Sequence, residues 1–87
     1  MPKVIMYCTA VCPFCTAAER YLHAKGVADI EKIRVDLNPG LRVEMMEKTQ
    51  NRTVPQIYIG DLHVGGFDEL VALDRAGQLE ELLRDTA

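Results

Sequence analysis

The chain has 87 residues, 48% of them hydrophobic and 26% charged, and its 10 basic and 13 acidic side chains give a net charge of −3. This length accommodates one hydrophobic core, so we expect a single domain over residues 1–87. The composition is that of an ordinary globular protein and excludes a disordered or low-complexity chain. No apolar run approaches the roughly 20 residues of a membrane span, and we expect no signal peptide. An acidic chain without a basic run is also unsuited to binding nucleic acid.

Charge and cysteine are unevenly distributed along the chain. Residues 1–60 carry 8 basic and 6 acidic side chains, whereas residues 61–87 carry 2 and 7. We therefore expect an anion to bind in the first part and a solvated acidic face in the second. The three cysteines, Cys8, Cys12 and Cys15, all fall within eight residues and cannot join distant segments. They favour thiol chemistry in a reducing compartment, the cytoplasm, over a secreted disulfide scaffold.

Hydrophobic periodicity and turn residues predict eight elements in the order β-α-β-α-β-β-α-α. Strands are expected at residues 3–7, 31–36, 55–59 and 62–65, and helices at 13–25, 41–49, 68–76 and 79–84. Asn38-Pro39-Gly40 is expected to form a turn, and Gly60-Asp61 suits a two-residue hairpin turn. The first β-α-β unit requires parallel strands, and the later strand pair must be antiparallel. The sequence therefore predicts an α/β fold with a four-stranded mixed sheet flanked by helices.

The most informative stretch, Cys12-Pro13-Phe14-Cys15, joins the first strand to the first helix. Pro13 suits the first helical position, which places Cys12 at the N-cap. There the unpaired N–H groups and the helix dipole favour a thiolate, which is the nucleophilic form of cysteine. Cys15 lies less than one turn further on. We expect Cys12 to attack a disulfide and Cys15 to resolve the mixed disulfide that results.

Two other interpretations of these cysteines are open. The pair could be small buried hydrophobes, or half of a zinc site completed by Cys8 and a histidine, His23 or His63. A helix that begins at Pro13 makes such a closed site awkward, and we expect no metal. Cys8 is interpreted as a core or rim cysteine, with an oxidisable partner of Cys12 as the alternative. Both histidines lack a motif and are expected to lie at the surface or rim.

Two further motifs follow in the second half of the chain. In Thr53-Val54-Pro55 the proline either simply opens a strand or forms a cis bond that exposes the backbone of Val54 beside Cys12. An extended peptide could then pair with that backbone. In residues 65–68, Gly-Gly-Phe-Asp, Asp68 is expected to be the N-cap of a helix. The free N–H groups of that helix start could hold a carboxylate, with the Asp68 side chain holding an ammonium group.

Together, these three motifs resemble those of the glutaredoxins, in particular the small dithiol glutaredoxins of bacteria. The resemblance extends from Val4 to about Leu83 and rests on residues 12–15, 53–59 and 65–68, with Ala72-Leu73-Asp74 as further support. It implies a thioredoxin-like fold and thiol–disulfide exchange driven by glutathione as a co-substrate, with no bound cofactor. It also implies a monomer that acts on disulfide-containing or glutathionylated proteins, among them a ribonucleotide reductase.

The resemblance also implies roles for individual residues. The backbone of Val54 would pair with the cysteinyl part of glutathione, beside Thr53 and Pro55, and Phe14 would form an aromatic wall. The γ-glutamyl end would bind at Gly66, Phe67 and Asp68, and the glycyl carboxylate at Arg52 or Gln56. The sequence departs from the family pattern at two positions, with Phe14 in place of the usual tyrosine and Thr9 in place of a common lysine. We expect these departures to weaken glutathione binding or thiolate stabilisation without abolishing activity.

Two alternatives to a glutathione-dependent enzyme are considered. One is a thioredoxin-like electron carrier that a flavin reductase reduces directly, for which the Gly-Gly-Phe-Asp turn would have no ligand. The other is an iron–sulfur cluster binding module shared by two subunits. Pro13 and the competing thiol of Cys15 argue against that module, because relatives of this kind usually carry a single active cysteine followed by glycine.

Overall fold

The computed structural model describes residues 2–84, and within them the predicted order β-α-β-α-β-β-α-α is confirmed. Every predicted end lies within two residues of the observed one. The elements are β1 (Val4–Cys8), α1 (Pro13–Ala24), β2 (Glu31–Arg34), α2 (Pro39–Thr49), β3 (Gln56–Ile59), β4 (Leu62–Gly65), α3 (Phe67–Arg75) and α4 (Leu79–Arg84).

The four strands form one mixed sheet in the order β2-β1-β3-β4. Strand β2 is parallel to β1, and α1 provides the crossover between them. Strand β3 runs antiparallel to β1, and β4 runs antiparallel to β3. The tight turn between β3 and β4 has Gly60 at φ +59°, as the sequence predicts. The predicted four-stranded mixed sheet is therefore confirmed.

Helices cover both faces of the sheet. Successive side chains of β1 point to opposite faces, and both faces are buried in a hydrophobic core. Tyr7 packs with Val35 and Met45 on the side of α2. The larger core lies between the sheet and the other three helices. Its fully buried members include Met6, Ala18, Leu22, Ile57, Leu70 and Leu79.

Helix α2 begins two residues earlier than predicted. Asn38 is its N-cap, and the Asn38 Oδ1 atom accepts the N–H of Gly40 at 2.9 Å. Pro39 occupies the first helical position, where a missing N–H costs nothing. The residues predicted as a separate turn, 38–40, are therefore the start of the helix itself.

None of the helices in residues 2–84 is long and apolar enough to cross a membrane. The longest, α1, has 12 residues.

Candidate functional site

Cys12 is the N-cap residue of α1, as the position of Pro13 predicts. Its backbone is extended, with φ −148° and ψ 101°, and its Sγ atom accepts the N–H of Cys15 at 3.2 Å. The side chain is half-buried. A sulfur in this position faces the unpaired N–H groups at the donor end of the helix.

Cys15 is the third residue of α1, within its first turn, and is only 5% exposed. Burial, together with the hydrogen bond to Cys12, raises the pKa of the Cys15 thiol to about 12. At neutral pH this thiol is therefore protonated and a poor nucleophile. The two cysteines of the motif thus differ in accessibility and in readiness to react, although they are only three residues apart.

The loop that leads into Cys12 is anchored to the end of β2. The Ala10 N–H donates to Asp36 Oδ2 at 3.2 Å, and Arg34 forms two hydrogen bonds of 2.7 Å to the same carboxylate. The Arg34 guanidinium holds the pKa of Asp36 well below its usual range. The carboxylate is therefore charged at any physiological pH, and its hydrogen bond to Ala10 holds the segment that precedes Cys12 in place.

The Val54–Pro55 peptide bond is cis. Of the two interpretations of this proline, the structure therefore supports the cis bond. The Val54 carbonyl oxygen lies 3.8 Å from Cys12 Sγ, which brings the second motif directly beside the first. Pro55 is buried, whereas Thr53 is exposed and Val54 half-buried.

A cleft of about 470 Å³ extends from this point to the start of α3. Phe14 forms part of its wall and is 61% exposed. The ring of Phe67 lies 6.4 Å from that of Phe14 and 6.0 Å from that of Tyr21, so an aromatic cluster borders the cleft. The lining residues are Phe14, Asn51, Thr53, Val54, Pro55, Gln56, His63, Val64, Gly65, Gly66, Phe67, Asp68 and Glu69.

The Gly-Gly-Phe-Asp turn closes the far end of the cleft, but its cap differs from the predicted one. The N-cap of α3 is Gly66, and Asp68 occupies the second helical position, so the prediction that Asp68 caps the helix is wrong. Gly66 has no side chain that could accept a first-turn N–H, and Glu69 instead reaches back to the N-cap, where its Oε1 atom accepts the Gly66 N–H at 2.7 Å. Gly65 adopts φ +112°, and a Cβ atom there would lie 3.0 Å from the Glu69 side chain. Only glycine fits this position without strain.

Of the two residues expected to bind the glycyl carboxylate, Gln56 lines the cleft and Arg52 does not. Arg52 is exposed and does not line the cleft, although its neighbour Asn51 does. Gln56 lines the cleft but is only 3% exposed, and its amide is already hydrogen-bonded. Its Nε2 donates to the Thr53 carbonyl at 3.0 Å, and its Oε1 lies 2.7 Å from His63 Nε2.

Comparison with known proteins agrees with this geometry. Residues 4–64 match the family model described as glutaredoxin. A glutaredoxin of Pseudomonas aeruginosa is 52% identical over 83 residues, which span 95% of this chain and 98% of that protein. The chain belongs to the glutaredoxin family. It is therefore a thiol–disulfide oxidoreductase, and the resemblance inferred from its motifs is confirmed.

Solved glutaredoxin structures confirm the thioredoxin-like fold. The solution structure of glutaredoxin from Brucella melitensis has a TM-score of 0.83 and 44% identity, covering 97% of this chain and 90% of that one. The crystal structure of a buckwheat glutaredoxin–glutathione complex has a TM-score of 0.85 at 25% identity, covering 94% and 76%.

The remaining cysteine and the histidines are also placed by the structure. Cys8 is 3% exposed within the larger core, and burial raises the pKa of its thiol. His23 is exposed at the end of α1, where its Nδ1 atom lies 2.7 Å from the Val27 carbonyl oxygen. Within residues 2–84, no three His, Cys, Asp or Glu side chains converge as metal ligands.

Four residues that line the cleft are not among those predicted to bind a ligand: Asn51, His63, Val64 and Glu69. A signal for His63 was present, since the two-residue turn pairs it with Tyr58 across the β3–β4 hairpin. Gln56 precedes Tyr58 by two residues and therefore shares its face of the sheet. The sequence thus contains the information that Gln56 and His63 are neighbours.

Proposed function

We propose that this glutaredoxin is a glutathione-dependent oxidoreductase that reduces glutathione mixed disulfides and protein disulfides through Cys12 and Cys15. One observation carries the proposal: Cys12 Sγ lies 3.8 Å from the Val54 carbonyl, where the cleft that leads to the Gly66–Asp68 turn begins. Glutathione is a tripeptide with its sulfur on the central residue. A sulfur at one side of a peptide-sized cleft is the arrangement that such a substrate requires. The buckwheat relative, solved as a glutathione complex, supports the same ligand.

The cleft offers complementary groups to each part of the tripeptide. Val54 would pair with the cysteinyl backbone, and Thr53 and Pro55 hold that strand-like segment in place. The first-turn N–H groups of Phe67 and Asp68 are among those that a helix leaves without an intrahelical partner, and they would receive the γ-glutamyl carboxylate. The Asp68 carboxylate would bind the adjacent ammonium group, and Gly66 allows close approach.

The glycyl carboxylate would then point towards Asn51 and Arg52. Because the amide of Gln56 is occupied by Thr53 and His63, Gln56 contributes through positioning, and Arg52 is the better partner for the negative charge. Phe14 and Phe67 cover the sulfur end of the cleft with apolar surface.

The reaction with a glutathionylated protein follows from these positions. The Cys12 thiolate attacks the glutathione sulfur, forms a Cys12–glutathione disulfide, and releases the protein thiolate, which takes up a proton. The thiolate of a second glutathione then attacks the glutathione sulfur of that intermediate. Cys12 leaves as a thiolate and oxidised glutathione is released, so no bond to Cys15 is needed.

The reaction with a protein disulfide requires the second cysteine. Cys12 attacks one sulfur of the disulfide and releases the other as a thiol. Cys15 then loses its proton and attacks Cys12 Sγ, which forms the Cys12–Cys15 disulfide and releases the second protein sulfur as a thiolate that takes up a proton. Two glutathione molecules reduce this disulfide and become oxidised glutathione. Burial is the largest cause of the raised pKa of Cys15, and the hydrogen bond to the Cys12 sulfur adds to it, so conversion of Cys12 to a mixed disulfide removes the second contribution.

The expected partners follow from the same chemistry. They are glutathione and disulfide-containing or glutathionylated proteins, with ribonucleotide reductase as one such substrate. We propose that the protein works as a monomer in the cytoplasm, without a bound prosthetic group.

The test is turnover of a glutathionylated peptide, with glutathione, glutathione reductase and NADPH supplied. We expect turnover that Cys12→Ser abolishes. A folded protein that forms the Cys12–Cys15 disulfide but gives no turnover would contradict the proposal. Reduction of that disulfide by a flavin-dependent thioredoxin reductase would then identify a directly reduced carrier.

A further inference from the structure

We propose that His63 is a positioning residue that, through the amide of Gln56, holds the Thr53–Val54 backbone in the orientation in which glutathione binds. This inference rests on the proposed function, since it concerns how the same cleft recognises its substrate. His63 lies in β4 and takes no part in the bond-forming and bond-breaking steps proposed above.

A hydrogen bond joins the side chains of His63 and Gln56. His63 Nε2 lies 2.7 Å from Gln56 Oε1, and Gln56 is 3% exposed. An amide oxygen only accepts hydrogen bonds, so His63 Nε2 carries the proton and donates it. Without this donor, the amide oxygen of a residue that is only 3% exposed would lose its hydrogen-bond partner in the protein.

This hydrogen bond sets the orientation of the Gln56 amide. With Oε1 held by His63, the NH2 group points towards Thr53, where it donates to the backbone carbonyl at 3.0 Å and approaches Oγ1 at 3.4 Å. Rotation of this amide by half a turn would place its oxygen against the Thr53 carbonyl oxygen. His63 therefore selects the orientation of the amide in which Thr53 receives a donor.

Thr53 and Val54 lie in the loop that connects α2 to β3. Two successive carbonyl groups in this loop accept hydrogen bonds from side chains, and the next one faces Cys12. Arg42 donates to Arg52 O at 3.3 Å, Gln56 donates to Thr53 O, and Cys12 Sγ lies 3.8 Å from Val54 O. A loop held by side chains depends on them for its orientation. Since Thr53 directly precedes the proposed glutathione-pairing residue, a misplaced Thr53 carbonyl would misalign the site.

The ring of His63 is itself fixed in place. It lies 5.1 Å from the Tyr58 ring, with an interplanar angle of 32°. A phenylalanine at position 63 would retain this aromatic contact while removing the donor. The substitution His63→Phe therefore separates the hydrogen bond from the packing.

The experiment measures kcat and KM with a glutathionylated peptide for the wild-type protein and for His63→Phe. We expect KM to rise about fivefold to tenfold, as loss of one buried hydrogen bond predicts, with a much smaller change in kcat. Alkylation of Cys12 by iodoacetamide needs no cleft and should be unchanged. His63→Gln, which supplies an amide donor, should restore most of the wild-type KM. His23→Phe is the matched control, because His23 is exposed and far along α1, and it should behave as wild type.

A second variant tests the relay, the chain of hydrogen bonds from His63 through the Gln56 amide to the Thr53 carbonyl, without altering His63. In Gln56→Glu the carboxylate still accepts from His63 but has no N–H for the Thr53 carbonyl, so KM should rise to a similar extent. The double variant His63→Phe/Gln56→Glu should be no worse than the poorer single variant, because both act through one contact.

A folded His63→Phe protein with the wild-type KM would overturn the inference, as would equal losses in His63→Phe and His63→Gln. If His63→Phe does not fold, Gln56→Glu decides the outcome, and a wild-type KM there would overturn the relay. Absence of turnover by the wild-type protein would instead overturn the proposed function, and this inference with it.

Discussion

The Sγ atom of Cys12 accepts the backbone N–H of Cys15 at 3.2 Å. Although the two residues are in direct contact, their sulfur atoms differ in exposure to solvent. Cys12 is half-buried at the donor end of the helix, whereas Cys15 is almost fully buried behind it. This asymmetry is the reason for proposing Cys12 as the nucleophile and Cys15 as the resolving thiol.

The first prediction concerns thiol accessibility. In the reduced native protein at neutral pH, iodoacetamide should modify Cys12 alone, because Cys8 and Cys15 are buried and burial raises the pKa of both thiols. Mass spectrometry should find one adduct on each chain. The same protein in guanidinium chloride is the control and should acquire three. A second native adduct that forms as fast as the first would contradict the assignment.

The second prediction separates the two reactions. Cys15→Ser should retain turnover of glutathionylated peptides, since a second glutathione resolves that intermediate, but should lose turnover of protein disulfides. Both activities are measured as NADPH consumption in the coupled assay. Cys8→Ser is the matched control, because Cys8 is equally buried but takes no part in the proposed reaction, and it should retain both activities. Loss of both activities in a folded Cys15→Ser protein would refute the role of Cys15.

The position of the two cysteines could be predicted because local rules suffice for it. A strand followed by a proline at the first helical position places the preceding residue at the N-cap, whatever the rest of the fold. Cys12 and Pro13 satisfy this rule, and the β-α-β order then determines which edge of the sheet they occupy.

The cap of α3 could not be predicted in the same way. Asp68 has a strong preference for the N-cap, whereas Gly66 has no side chain with which to signal that it occupies this position. The outcome depends on Glu69, which reaches back to the Gly66 N–H. The orientation of the Gln56 amide likewise depends on Thr53, whose position is known only once the loop is placed against β3.

The third prediction concerns the ammonium end of glutathione. Asp68→Asn should raise KM for a glutathionylated peptide about fivefold, since an exposed ion pair contributes about 1 kcal/mol, and leave alkylation of Cys12 unchanged. Asp29→Asn is the control, because Asp29 is exposed and lies outside the cleft. An unchanged KM in Asp68→Asn would mean that the turn does not bind the γ-glutamyl end.

The fourth prediction concerns stability. Glu69→Ala should lower the free energy of unfolding by about 1 kcal/mol, because the Gly66 N–H loses its acceptor at the start of α3. Urea denaturation followed by circular dichroism measures the change. Glu47→Ala, which removes the same side chain from the exposed surface of α2, should alter the free energy by less than half as much. Equal losses in the two variants would show that the cap contributes nothing specific.

The fifth prediction concerns Thr9, which precedes Cys12 by three residues where a lysine is common in the family. Thr9→Lys adds a positive charge near the thiolate and near the carboxylates of glutathione. We expect it to accelerate alkylation of Cys12 at mildly acidic pH and to lower KM for a glutathionylated peptide, each by about twofold to threefold in low salt.

Salt dependence and a matched charge distinguish this effect from a general change in the protein. Both gains should shrink as ionic strength rises, because mobile ions screen exposed charges. Ala28→Lys adds the same charge beside Ile30, at the opposite end of the sheet from Cys12, and should leave both quantities at their wild-type values. If Thr9→Lys changes neither the alkylation rate nor KM, the prediction is wrong, and a cation at position 9 assists neither Cys12 nor the binding of glutathione.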